Sequence, residues 1–185
     1  IPRRATVFDF KRKSKSAKYG ETLPLEIRVK MGLCRLRRSA DDYAEAMHHL
    51  EMLEPDDKSP DALMWDYLDL FRVIADALHS TGHDTEALRF YEPLLESNSS
   101  EMNLMSYLGL YTVYKNLGQP EKAQQIIPVL VGWAADTVDD LAVLARFFEV
   151  QDMPEEAMER ADACYRNRGL VKLRRIGYSR LREIR

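Results

Sequence analysis

The chain has 185 residues, 45% of them hydrophobic and 31% charged, a composition that suits a folded chain with a sizeable core. No apolar run approaches the roughly 18 residues of a membrane-crossing helix, which argues against a span. The net charge of −3 conceals segregation: residues 1–40 carry twelve Lys and Arg against three Asp and Glu, residues 41–165 seven against twenty-six, and residues 166–185 eight against one. An acidic middle repels nucleic acid and attracts basic protein segments, while basic ends suit phosphate, a fold-back onto the middle, or flexible solvated tails.

Residues 1–22 read as a basic, largely irregular linker. The chain opens at Ile1 without an initiator Met or a signal-peptide pattern, so it is expected to be a piece of a longer protein. The run KRKSKSAK, Lys11 to Lys18, is too poor in apolar residues to bury. Such a run serves as a nuclear address, a nucleic-acid patch or plain linker. From Leu23 onward helical periodicity takes over, and no strand alternation interrupts it.

Four segments then share one pattern, an acidic residue followed by alanine opening a helix: DDYAEAMHHLEML, GHDTEALRFYEPLL, GQPEKAQQIIPVL and DMPEEAMERADAC. Their alanines, Ala46, Ala87, Ala123 and Ala157, are 41, 36 and 34 residues apart. Before each comes a helix with one apolar stripe, as in Phe71, Ile74, Ala75 and Leu78, or Tyr107, Leu110, Tyr111 and Tyr114, or Leu141, Leu144, Ala145 and Phe148. The alanines are small because the two helices of each pair must approach closely there, so Ala87, Ala123 and Ala157 are expected to be buried at the pair crossings. Gly82 and Gly118 fit helix ends that need a left-handed residue, and Pro120 and Pro154 fit the first turn of a second helix.

The first pair is the irregular one. Its leading helix, about 26–38, needs a one-residue shift, and Asp41 stands where the other pairs suggest glycine. In the second pair, Ser59 as cap and Pro60 as first helical residue predict an unusually long helix reaching about His79. The repeats fall at about 26–58, 60–100, 103–135 and 138–168, an array over 23–168. Residues 169–185, with Leu170, Leu173, Ile176 and Leu181 among many cations, predict a further basic helix that begins another repeat or caps the array.

The last interval matches the ~34-residue period of the tetratricopeptide repeat, and the chain from Leu23 to Arg168 resembles that family. The resemblance implies an all-α fold: an α-α superhelix, or solenoid, of four tetratricopeptide-type helical hairpins plus a C-terminal helix. It also implies that the first helix of each hairpin lines a concave, partner-binding groove. Counted from the alanines, the groove positions are Asp69, Arg72, Asp76 and His79, then Met105, Leu108, Thr112 and Lys115, then Asp139, Ala142, Arg146 and Glu149. This mixed set lacks the several Lys and Asn side chains with which chaperone-tail-binding members clamp a C-terminal carboxylate. An extended or helical segment carrying basic and apolar residues fits better.

A narrower likeness rests on order and wording: LPLEIRVKMGLCRL, DYLDLFRVIADALHSTGHDTEALRFYEPLL, LGLYTVYKNLGQPEKAQQIIPVL, then a basic segment. In this order they resemble the amino-terminal arrays of the tetratricopeptide subunits of transcription factor IIIC. That likeness implies a nuclear scaffold in RNA polymerase III initiation. Its partners would be the other transcription factor IIIC subunits and components of transcription factor IIIB, with DNA contact at most indirect or through the basic ends.

Catalytic chemistry is not expected. The sequence has no glycine-rich phosphate loop, GxSxG or HExxH. His48 and His49 are adjacent and point to different helix faces. His79 and His83 flank Gly82, and a solvated turn is expected there rather than a metal pair. Asp139–Asp140 and Glu155–Glu156 sit at helix starts, where they complement the dipole. Cys34 and Cys164 are expected as buried thiols, too few for a disulfide framework. A scaffold needing no catalytic residue, cofactor, metal or small-molecule substrate is therefore the first expectation. A generic adaptor or co-chaperone that binds a peptide segment is the alternative, and a nucleic-acid-contacting helical repeat a third.

Overall fold

The computed structural model describes residues 23–97, 100–135 and 137–167. Eight helices are found among them: α1 (Leu25–Arg38), α2 (Tyr43–Leu50), α3 (Leu68–Ser80), α4 (Asp84–Glu96), α5 (Leu104–Asn116), α6 (Pro120–Val131), α7 (Val138–Val150) and α8 over 154–167. The described residues hold no strand. The described part of the chain is all-helical, with its helices in adjacent pairs. It divides after Gln124, within α6, into two compact units. The basic linker 1–22, its lysine run and the basic segment 169–185 lie outside the described residues.

In the first unit, α1 packs on α2 and α3 on α4, and α5 lies against both α3 and α4. The predicted stripe of α3 is the buried one: Phe71, Ile74 and Ala75 are fully buried, as are Ala87, Phe90 and Tyr91 of α4. Phe71 and Phe90 meet with ring centroids 5.2 Å apart. Burying one such side chain contributes about 1.5–3 kcal/mol. Ala46, Ala87 and Ala123 are all buried, as the close approach of paired helices requires. In the first pair Gly32 matters too, because a Cβ there would lie 2.8 Å from Leu50 and 3.0 Å from the Ala46 carbonyl.

Helix ends follow the chemistry of the left-handed residue. Gly82 (φ 82°) and Gly118 (φ 69°) end α3 and α5. Beyond each, the next N–H reaches back five residues, His83 to the Leu78 carbonyl at 2.9 Å and Gln119 to that of Tyr114 at 2.8 Å. This closes carbonyls that the helix leaves unpaired. Asp152 (φ 58°) fills the same role after α7, and Met153 N–H reaches the Phe148 carbonyl at 2.9 Å. Pro120 opens α6 and Pro154 opens α8, where a missing N–H costs nothing. The extra residue of the first pair is absorbed in a 3-10 turn, Ala40–Asp42, where Ser39 Oγ accepts from Asp41 N–H.

The long second-repeat helix expected from Ser59 does not form. Helix α3 begins at Leu68, and the residues before it make a 3-10 turn, Leu63–Asp66. Asp57 accepts the Ser59 N–H in an Asx-type turn (3.0 Å), and the Trp65 indole N–H donates to the Ser59 carbonyl (2.8 Å). These bonds hold the segment in turns, so Ser59 is no cap. The insertion is then tied to the second pair: Arg89 bridges Glu51 and Asp56, and Lys58 reaches Glu96.

In the second unit, Thr137 caps α7 by accepting from Asp140 N–H (3.0 Å). Leu141, Leu144 and Phe148 of α7 are buried. Arg160 of α8 donates to the carbonyls of Val131 and Trp133 just at the end of α6, placing a cation where the helix dipole is negative. Two expectations fail. Ala157 is only half-buried, because it borders an open groove between α7 and α8 that no described residue fills. Cys164 is buried but Cys34 is exposed, since the inward positions of α1 are Val29, Gly32, Leu33 and Leu36.

Candidate binding surface

The groove row of α3 is used within the fold. Asp76 is contacted by Arg72 one turn earlier (3.4 Å) and accepts the Tyr91 hydroxyl of α4 (2.7 Å) and the Ser106 hydroxyl of α5 (3.0 Å). Ser106 is fully buried, and its N–H is accepted by the Asn103 side chain that caps α5. Burial and the adjacent Asp76 carboxylate push the Tyr91 phenol well above its usual range, so it remains a donor. A Cβ at Gly109 would lie 2.9 Å from the Tyr91 oxygen and 3.3 Å from His79. The glycine is there so that α5 can approach this cluster.

His79 and His83 are likewise engaged. His79 Nδ1 lies 2.7 Å from Asp84, whose other oxygen accepts from Asn116 of α5 at 2.6 Å. Burial raises the Asp84 carboxyl, but the hydrogen bonds from His79 and Asn116 with the His79 charge outweigh it and hold it below the usual carboxylate range. The His83 ring stacks on Tyr43 at 4.1 Å. The expected solvated turn is a cross-linked one. No group of three potential metal ligands comes together among the described residues.

Of the remaining predicted groove positions in the first unit, Asp69, Met105, Thr112 and Lys115 are exposed and Leu108 is half-buried. Met105, 62% exposed, is the apolar one. Thr112 donates back to the Leu108 carbonyl, and the Lys115 ammonium lies 5.6 Å from the Tyr111 ring centre. These side chains present a solvated face rather than a pocket.

The second unit holds the open site. Ala142, Ala145, Arg146 and Glu149 of α7 and Ala157, Met158, Ala161 and Tyr165 of α8 line a groove of about 750 Å³. Its alanines form a shallow apolar floor. Met158 (66%) and Tyr165 (80%) are strongly exposed beside it. Arg146, Glu149 and Asp152 give it a charged rim. Asp139, also predicted for the groove, is exposed but is not among the lining residues. Small side chains on the floor and large ones at the rim suit the knobs of another helix. No family model matches this sequence, and no curated protein does.

Sequence counting placed Ala142, Arg146 and Glu149 at this groove but missed its α8 wall. The missed signal was the run of small and flexible residues at Ala157, Met158 and Ala161, one to four positions apart on one helix face.

Proposed function

We propose that the chain is a protein-interaction scaffold built of tetratricopeptide-type hairpins. In this reading it belongs to transcription factor IIIC, assembles that complex and recruits transcription factor IIIB in the nucleus. The open α7–α8 groove carries the interaction reading, because it is a shaped, apolar-floored surface that no described residue fills. The hairpin reading is supported by alanines buried at three pair crossings and by the left-handed turns at Gly82, Gly118 and Asp152. The transcription factor IIIC assignment is supported by the order of the repeat wording in the sequence alone.

The favoured partner is a basic, amphipathic segment, since residues 41–165 carry twenty-six acidic against seven basic side chains. The chain works by binding and not by catalysis. Titration with basic segments of transcription factor IIIB, followed by fluorescence anisotropy, tests this reading. Binding is expected to weaken with salt and to be lost in Ala157→Arg, which fills and charges the groove floor. Equal binding of an acidic chaperone tail, or undiminished binding by Ala157→Arg, sinks it in favour of a generic adaptor or another surface.

A further inference from the structure

His49 of α2 is fully buried, and neither of its ring nitrogens has a hydrogen-bond partner among the described residues. Its helix neighbours Ala46 and Leu50 are the residues against which Gly32 of α1 closes, so the ring stands beside the close crossing of the first pair. The charges that bear on it are mostly positive. Arg28 and Arg35 act from α1, and the His48 ring lies 5.8 Å away on the same helix. Arg28 is itself buried, with Nε and Nη2 unpartnered. The carboxylate of α2 on this side, Glu45, is already paired with Arg35. The turns that flank α2 add Asp42 and Glu51, but Arg38 and Arg89 hold them.

A proton added to this ring would be a further buried cation with no carboxylate to receive it. Burial first, and then Arg28 and Arg35, hold His49 below the ordinary imidazole range. The other three histidines differ. His79 lies 2.7 Å from the Asp84 carboxylate, which favours its proton. His48 is exposed, and His83 is half-buried in its stack on Tyr43. His49 alone must leave its packed site to be charged comfortably.

We propose that His49 makes the first hairpin an acid-opened element: when its ring takes a proton from water, α1 parts from α2 while α3, α4 and α5 stay folded. The sign follows from linkage. With the folded ring harder to protonate than the free one, the contribution of His49 to stability is complete above the free imidazole value of ~6.5. It is lost as pH falls below that value toward the lower folded one. The α3–α5 cluster is spared in this range, because the Asp84 carboxyl is held below the usual carboxylate range and stays ionised. Opening uncovers Val29, Leu33, Leu36 and Leu50, all buried in the closed pair.

The test is amide hydrogen exchange of the 185-residue chain from about pH 7.5 to about pH 5, read as protection factors so that the intrinsic pH dependence of exchange is removed. Protection in α1 and α2 should fall by up to ~10-fold per pH unit below about pH 6.5, the effect of one proton, with α3, α4 and α5 unchanged. His49→Met, apolar and unable to titrate, should abolish the fall, and His48→Gln should leave it in place. If His49→Met fails to fold, the His49 ring signals of the parent decide: in the closed hairpin they should remain those of neutral imidazole at about pH 6. Protection of α1 and α2 that ignores pH, the same fall in His49→Met, a fall shared by α3–α5, or a His49 ring that titrates at the ordinary imidazole value would each overturn the assignment.

Discussion

Substituting Gly109 by alanine sets two effects of opposite sign against each other. A mid-helix glycine ordinarily costs about 1 kcal/mol relative to alanine, so an unconstrained exchange would stabilise α5 by that amount. Here the new methyl would lie 2.9 Å from the Tyr91 oxygen and 3.3 Å from His79. The Tyr91 ring is fully buried and cannot swing aside. Relief requires α5 to shift or the Tyr91–Asp76 bond to break, and overpacking of this kind costs about 1–3 kcal/mol while a lost internal hydrogen bond costs ~1 kcal/mol more. With the propensity gain subtracted, Gly109→Ala should destabilise by roughly 1–3 kcal/mol. Urea denaturation followed by circular dichroism measures the difference. Tyr91→Phe removes the oxygen that the methyl would strike, and Asp76 keeps its Arg72 and Ser106 contacts. The double variant should therefore lose less than the two single losses added together. If Gly109→Ala stabilised the protein, or the two changes were simply additive, the close-approach argument would be refuted.

Three further outcomes are expected. Asp152→Gly should raise stability by ~1 kcal/mol, since a non-glycine residue pays that much for a left-handed conformation; an unchanged denaturation midpoint would count against it. Replacing Ala123 with leucine should cost about 1–3 kcal/mol by overpacking the α5–α6 crossing, and a neutral result would displace the hairpin register. Asp84 has a lowered carboxyl pKa in the folded state, so its contribution is complete above the unfolded carboxylate value of ~3.9 and is lost as pH falls through the lower folded value. Asp84→Asn should flatten the acid limb of a stability–pH curve and leave its slope at neutral pH unchanged; a steep acid limb that persists would place the titrating group elsewhere.

The parts legible in the sequence were those set by neighbours along the chain. A left-handed turn at Gly82 or Gly118 needs only the local backbone, and the spacing of Ala46, Ala87 and Ala123 reports a helix pair within one repeat. The insertion was misread because Ser59–Pro60 carries a helix-start signal, while the Trp65 indole, six residues on, captures the Ser59 carbonyl. Asp152 went unnoticed as a helix stop because aspartate is an uncommon left-handed residue. The predicted groove residues Asp76 and His79 were placed on the correct helix, but Asp76 is used by Tyr91 and Ser106, 15 and 30 residues away, and His79 by Asp84, which Asn116 of α5 also binds. Periodicity says which face a residue is on; it does not say which distant side chain meets it there.

The bonds from Asp76 to Ser106 and from Asp84 to Asn116 join α5 to the hairpin before it at both ends of that helix. Coupling between neighbouring helices decides whether they open singly or together. Opening α5 alone would strand Asp76 and Asp84 without these donors, so local fraying there is penalised. Helices α3, α4 and α5 should accordingly behave as one cooperative foldon, with a common slow hydrogen-exchange rate across all three. The outer part of the insertion, Asp56 to Asp61, is exposed and joined to α4 by surface ion pairs worth little each, so it should open before the buried Leu53 and Met64 on either side of it.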